Sequence, residues 1–285
     1  MNAEAPELID LHAHTTASDG SLSPTELVNH AVEIGLEALG VADHDTIDGL
    51  EEAERAAKQS GLELVAGLEI SAEFQPGTCH MLGLYIDRTN ERLKQTLRFL
   101  QKARANRNPK IIGKLSDLGC PITMAEVEEI AGFGQIGRPH IAQALLNHGY
   151  VSTVQEAFDK YLKKGASAYV DKARLSLKDS VELIHDAGGF AILTHPITLD
   201  LPPSDLKEFV TELKTYGLDG IEVYYSDHTP EDVSYLLGLA RELDLLISGG
   251  SDFHGASKRA IKLGTGRGNL SIPYEVLAAI KKARA

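Results

Sequence analysis

IDLHAHTTASDG, residues 9–20, follows Leu8 with an apolar run and then presents His12 and His14. Side chains two apart on a strand point to the same face. The two imidazoles therefore stand side by side at a strand end, where one metal ion could take both. Asp19 follows, just before Gly20 and ahead of a helix start, Ser23-Pro24-Thr25-Glu26. It offers a carboxylate from the strand-to-helix loop. Taken alone, the segment is also compatible with a surface loop that holds two histidines, and the rest of the chain decides between the two.

Working outward, the same pattern recurs. Residues 26–34 read as a helix stopped by Gly35, and 38–42 as a strand ending in Asp43-His44-Asp45. A helix over 48–60 precedes a strand over 62–67 that ends at Glu69. This alternation predicts parallel strands with crossover helices. Residues 78–86, which contain His80, follow the turn Gln75-Pro76-Gly77 too closely for a crossover helix, so an antiparallel pair is expected there. Residues 90–166 carry no period-2 apolar run. They read as helices over 91–106, 109–119, 139–147 and 153–164, with a capping box at Thr123-Met124-Ala125-Glu126. The α/β rhythm then resumes, with strands over 190–193, 220–225 and 245–250. The first ends at His195 and the last at Ser251-Asp252-Phe253-His254. Residues 1–89 and 167–285 are thus expected to form one α/β barrel, with 90–166 as an inserted helical subdomain.

At 285 residues the chain suits one barrel with an insertion. No apolar run approaches the ~18 residues of a membrane span, and MNAEAPELID has no basic region followed by an apolar one. A cytoplasmic protein without membrane attachment is expected. Cys79 and Cys120 are too few for a disulfide framework or a thiolate zinc site, so any metal must rely on His and carboxylate. The net charge of −13 argues against an extended nucleic-acid surface but not against a small anionic substrate. An appreciable share of the positive charge lies in the insert, at Lys102, Arg104, Arg107, Lys110, Lys114, Arg138, Lys163 and Lys164.

The metal-competent side chains His12, His14, His44, Glu69, His195, Asp252 and His254 all stand where strands end, and Asp19 joins from a loop. In parallel barrels the C-terminal strand ends converge on one rim, where active sites are built. Each histidine alone has an ordinary reading as a capped or core residue, but the joint placement is hard to produce by accident. His80 fits less well, because it precedes most of its apolar run. The donors exceed the ~4–6 that one transition ion takes, so two or three divalent ions are implied. Mixed imidazole and carboxylate suits manganese, iron or zinc better than calcium. Such clusters perform hydrolysis.

The segments DLHAHTTASDG, VADHDT, GLEISAE, CHMLGLY, LTHP and SGGSDFHG occur in this order. They resemble the motif series of the PHP (polymerase and histidinol phosphatase) superfamily. GRPHIAQAL, FDKYLKKGASAYV and EVYYSDHTPED resemble the subfamily of nucleoside 3′,5′-bisphosphate phosphatases and the 5′→3′ exoribonuclease RNase AM. The resemblance implies a distorted seven-stranded (β/α) barrel with a trinuclear site, manganese being the first expectation. It implies that His12, His14, Glu69 and Asp252 hold one ion and that Asp19, His44 and His254 hold a second. Glu69, His80 and His195 hold the third, with Glu69 bridging. It also implies that Arg138 and Lys164 reach a substrate phosphate. His140 and His228 are further candidates, each equally open to a structural role. The expected activity is a metal-dependent phosphoesterase in which a metal-bound hydroxide attacks phosphorus, releasing the 3′-phosphate of a nucleoside 3′,5′-bisphosphate. The alternatives are a 5′→3′ exoribonuclease on short 5′-phosphorylated RNA, a histidinol phosphatase, and a metal- or nucleotide-sensing module without turnover.

Overall fold

The sheet begins with β1 (Leu8–Ala13), β2 (Leu36–Val41) and β3 (Glu63–Ala72), which run parallel. It continues through β4 (Cys79–Leu84), β5 (Phe190–Leu193), β6 (Gly220–Tyr225) and β7 (Leu246–Gly250) in chain order. This computed structural model describes residues 8–132, 136–171 and 173–284. Residues 1–7, on which the expectation about a leader rests, lie outside the described residues. Helices α1 (Pro24–Glu33) and α2 (Leu50–Ser60) are the first crossovers, and α7 (Leu177–Asp186), α8 (Pro203–Thr215) and α9 (Pro230–Glu242) the later ones. Between β4 and α7 lie α3 (Glu91–Asp117), α4 (Met124–Ala131), α5 (Arg138–Asn147) and α6 (Val154–Ala157). A last helix, α10 (Glu275–Arg284), was not among the elements read from the sequence. Its apolar signal is short, with Leu277 and Ile280 as its buried positions.

β4 is antiparallel to both neighbours, while β5, β6 and β7 are parallel again. The reversal follows from the short β3–β4 connection, which leaves no room for a crossover. It puts the start of β4 beside the C-terminal ends of β3 and β5, with His80 opposite Ser71 and Met81 opposite Leu193. A residue that precedes its apolar run thereby reaches the same rim as residues that follow theirs. Just past the strand ends, the chain closes from β7 onto β1. Asp252 N–H donates to His12 O (2.8 Å) and His14 N–H to Phe253 O (2.9 Å). Gly250 permits that approach, because a Cβ there would lie 2.3 Å from the Cβ of His12.

The strands are apolar on both faces, as buried parallel sheets require. Ile9, Leu11, Val65, Leu82, Leu84 and Ile192 form one cluster with Leu277 and Ile280 of α10. Leu39, Leu68, Ile70 and Leu193 pack instead with Leu27, Leu50, Ile184 and Phe209 of the helices. Each fully buried Leu or Ile contributes about 1.5–3 kcal/mol.

A third hydrophobic cluster, including Ile111, Leu115, Val127, Ile141, Leu145 and Leu162, lies between β4 and α7 in the chain. The sequence predicts two helices around Pro109, yet α3 runs unbroken for 27 residues with Pro109 inside it. A proline removes one helical hydrogen bond and crowds the preceding turn. Packing outweighs that here, because Leu93, Leu97 and Leu100 are held in the barrel core while Ile111 and Leu115 are held in the third cluster. The helix expected over 153–164 is α6 followed by a wider turn, Phe158–Leu162, closed by Lys163 N–H on Phe158 O (2.8 Å). Among the described residues no helix is long and apolar enough to cross a membrane.

Candidate metal centre

The rim gathers the sequence-predicted donors around Glu69, which is fully buried. Glu69 Oε1 lies 2.8 Å from His80 Nδ1 and 2.9 Å from His195 Nε2. Its Oε2 lies 2.8 Å from His44 Nδ1 and 3.4 Å from the Nε2 atoms of both His12 and His14. Asp252 Oδ1 is 3.1 Å from His14 Nε2 and 3.9 Å from His12 Nε2. On the other side of His14, Asp19 Oδ1 is 3.3 Å from His254 Nε2, and Asp19 Oδ2 is 4.0 Å from His44 Nε2. Donor sets of His14, Asp19, His44 and His254, of His12, His14 and Glu69, and of His44, Glu69 and His80 each lie within 4.8 Å of one another. Ions bound at about 2.0–2.2 Å from N and O donors would bridge such spans.

Several of these donor atoms find no hydrogen-bond partner among the described residues. His12 Nε2, both ring nitrogens of His14, His44 Nδ1, Glu69 Oε2 and His80 Nδ1 are buried without a hydrogen bond among the described residues. A buried unsatisfied polar atom costs about 1–3 kcal/mol. Burial would push the Glu69 carboxyl up, but His44, His80 and His12 hold it well below the usual range. Burial would likewise lower His44, yet Glu69 and Asp19 raise it to about 9. His14 is driven far down by burial and then by His254 and His44, and burial takes His80 down to about 4. The Glu69 carboxylate is thus held toward its ionised form, while burial drives the His14 and His80 rings toward the neutral, electron-donating form. That donor set fits divalent metal ions.

Behind the rim, residues absent from the sequence reading fix its geometry. Glu222, fully buried on β6, accepts from His12 Nδ1 (2.9 Å) and from His195 N–H (2.7 Å). The first bond sets the His12 proton on Nδ1 and leaves Nε2 for an ion, a common outer partner of ligating histidines. Asp252 Oδ2 takes Lys258 Nζ (2.6 Å) and the Tyr225 hydroxyl (3.3 Å), which leaves Oδ1 toward His14. Buried Asp10 accepts from the backbone N–H groups of His12, Ser251 and Gly264, tying β1 to the segment after β7. The available signal was a carboxylate inside an apolar strand, Ile221-Glu222-Val223, since charged residues are rarely fully buried without a partner.

The rim backbone is also strained. Asp45, His195 and Asp252 have φ of 51°, 26° and 57°. Such non-glycine conformations cost of order 1–3 kcal/mol and persist where surroundings over-determine them. Here the N–H of each is bonded, to Glu69 O, to Glu222 Oε2 and to His12 O respectively.

A cavity of ≈ 450 Å³ runs from His80 and Thr198 to Arg138, Lys163, Lys164 and Arg174, with Phe74, Phe158 and Tyr169 on its walls. Arg138 donates to Leu162 O (2.9 Å) and lies over the rings of Phe158 (5.8 Å) and Tyr169 (5.7 Å). Among the described residues its guanidinium is thus positioned by a carbonyl and two aromatic faces. Arg107 is buried nearby, and desolvation followed by the charges of Arg104 and Arg138 lowers it to about 9. Lys163 is paired with Asp159 (3.0 Å), whereas Lys164 has no ion pair among the described residues.

The two remaining candidates stand apart from the donor sets. His140 accepts the Gly137 N–H through Nδ1 (3.0 Å) at the start of α5. His228 donates through Nδ1 to Val223 O (2.8 Å) and packs edge-on against Tyr225 (5.2 Å), whose ring in turn lies 5.3 Å from that of His195. It supports the rim from one residue behind.

The sequence profile of the PHP domain matches residues 10–247. A 5′-3′ exoribonuclease from Haemophilus influenzae is 39% identical over 245 residues, covering 86% of this chain and 89% of the relative. A 3′,5′-nucleoside bisphosphate phosphatase from Chromobacterium violaceum is 32% identical over 247 residues, 86% of this chain and 87% of the relative. A crystal structure from Bifidobacterium adolescentis, classed as a metal-dependent phosphoesterase, superposes with a TM-score of 0.87 at 32% identity. It covers 99% of this chain and 98% of that one.

Proposed function

Because the chain belongs to the PHP family and is a hydrolase of phosphoester bonds, we propose that its substrates are nucleoside 3′,5′-bisphosphates and very short 5′-phosphorylated oligonucleotides. The bond broken is the one between phosphorus and the 3′-oxygen. The observation that carries this reading is the ≈ 450 Å³ cavity joining His80 on the rim to the Arg138 guanidinium. A molecule with one phosphate at the rim and a second phosphate one nucleoside away suits that arrangement.

His12, His14, Glu69 and Asp252 would hold one ion, and Asp19, His44 and His254 a second. Glu69, His80 and His195 would hold the third, with the Glu69 carboxylate shared. Manganese is the first expectation, with iron or zinc as alternatives for the same donors. Divalent ions held there supply Lewis acidity toward the phosphoryl oxygens and acidify water. Glu222 keeps His12 in the tautomer that presents Nε2, and Tyr225 with Lys258 keeps Asp252 turned toward His14. Arg138 and Lys164 bind and orient the 5′-phosphate, and residues 90–166 act as the cap that carries them. The aromatic walls at Phe74, Phe158 and Tyr169 suit a nucleoside between the two phosphates.

The exoribonuclease reading is favoured by the 39% identical relative. It asks for the same bond, since a 3′,5′-bisphosphate is the shortest 5′-phosphorylated strand with a 3′-linked phosphate. Reconstitution with Mn²⁺, Fe²⁺ or Zn²⁺, followed by kcat/KM on strands from one to about ten nucleotides at fixed salt, tests the proposal. With a net charge of −13, long strands gain little from backbone contacts, so efficiency should level off or fall after the first few nucleotides. A steady rise to the longest strand would reject the small-nucleotide reading.

A further inference from the structure

A second concavity, of ≈ 290 Å³, opens on the Asp252 side of the rim. Its lining includes Tyr225, Asp227, Asp252, Lys258, Arg259 and Arg267. The strand order puts β4, which carries His80, and β7, which leads to Asp252, on opposite sides of the barrel mouth. The Arg138 cavity and this one therefore flank the donor cluster. Glu69 spans the gap between them, with Oε1 2.8 Å from His80 and Oε2 3.4 Å from His14, which is itself 3.1 Å from Asp252.

The charge of this concavity is only partly used within the protein. Lys258 Nζ spends one donor on Asp252 Oδ2 (2.6 Å), and an ammonium has two more. Arg267 Nε is taken by Asp227 Oδ1 (2.6 Å), leaving other guanidinium donors. Arg259 makes no ion pair among the described residues, and it is exposed. Basic side chains gathered beside a candidate metal ligand, in a chain of net charge −13, mark a place where an anion is received.

We infer that this concavity is a subsite for the nucleotide on the 3′ side of the hydrolysed bond, with Lys258, Arg259 and Arg267 meeting that nucleotide's phosphate. The inference rests on the nucleotide reading above and narrows it. In a bisphosphate, pNp, the scissile phosphorus bears only terminal oxygens besides the 3′-oxygen. In pNpNp one of those oxygens is esterified to a second nucleoside, which must leave the rim on the side away from the Arg138 cavity. The chemistry is unchanged. A water oxygen bonds to phosphorus, the P–O3′ bond breaks, and the 3′-oxygen gains a proton that the water loses. One pNpNp and one water thus give pN and pNp. The extra nucleotide alters binding, not the bond.

The test is the ratio of kcat/KM for pNpNp over pNp, measured with the metal-loaded full chain at low and high salt. In the wild type the ratio should exceed one by about 3–10-fold, between the worth of an exposed ion pair and that of a charge-assisted hydrogen bond. It should shrink as salt rises. In Arg259→Glu it should fall to about one or below with metal content retained, and Arg267→Gln should lower it less. A wild-type ratio near one, or a ratio that Arg259→Glu and Arg267→Gln both leave unchanged, overturns the subsite. If the loaded wild type hydrolyses neither pNp nor pNpNp, the nucleotide reading itself fails, a result separable from the first.

Discussion

The barrel rim and the helical segment facing it hold their polar groups in opposite ways. At the rim, Glu69, His12 and His14 are fully buried, and the buried Glu222 of another strand orients His12. In the insert, Lys163 and Lys164 are exposed, and Arg138 is held by one carbonyl and two aromatic rings. A buried, mutually dependent set fails together, because removing one charge leaves its neighbours uncompensated in low dielectric. A set of separately held cations fails one contact at a time. On the proposed reading the rim would retain metal and serve the bond-breaking step, and the insert would bind and choose substrate.

That contrast is most exposed at Glu69. Glu69→Gln removes the charge shared by the donor sets, so metal per chain should drop and kcat/KM should fall by more than about 10²–10³-fold, the cost of losing one preorganised electrostatic contact. Elemental analysis beside turnover decides it, and full metal with normal turnover would remove Glu69 from the centre. Arg138→Ala should act differently. Metal content stays intact while kcat/KM falls roughly 10–150-fold, the worth of one charge-assisted hydrogen bond of about 1.5–3 kcal/mol. Loss of metal in that variant would erase the division between rim and insert.

Glu222→Gln sharpens the rim side. The amide retains the shape but weakens the hold on His12 Nδ1, and outer-shell changes of this kind cost about 10–100-fold in metal affinity. Competition against a chelator measures it, and wild-type affinity would mean that the 2.9 Å contact has no bearing on the metal. The smallest expected effect separates two adjacent lysines. Lys163 is engaged by Asp159, in an exposed pair worth about 0.2–1 kcal/mol, whereas Lys164 makes no ion pair among the described residues. Lys164→Ala should therefore raise KM for a 5′-phosphorylated substrate more than Lys163→Ala does. The reverse order would reassign the phosphate contact.

How much of this was legible depends on the residue. His12, His14, His44 and Glu69 follow apolar runs with helices between them, so their convergence on one rim could be read from period and order alone. His80 could not be placed that way, because its position depends on β4 running backwards between β3 and β5. The PHP resemblance supplied it without a geometric reason, and the reversal is the reason. Pro109 misled the reading because a local cost of helix interruption was weighed without the two cores that anchor α3 at either side. Glu222 was missed for another cause: its partner His12 lies 210 positions away, so an acid inside an apolar strand was a signal without a named partner.

The chain alone determined the alternation of strands and helices, the His-carboxylate donor chemistry and the interruption by a helical insert. Each of these is a property of residue type and local spacing, which act within a few residues of one another. The tertiary structure decided which donors stand near one carboxylate, which buried acid orients His12, and which cations line the two concavities beside the rim. Those relations are contacts of about 3–4 Å between residues on different strands and loops. They exist only once the strands have closed from β7 back to β1, with Gly250 allowing the backbone of His12 to come near.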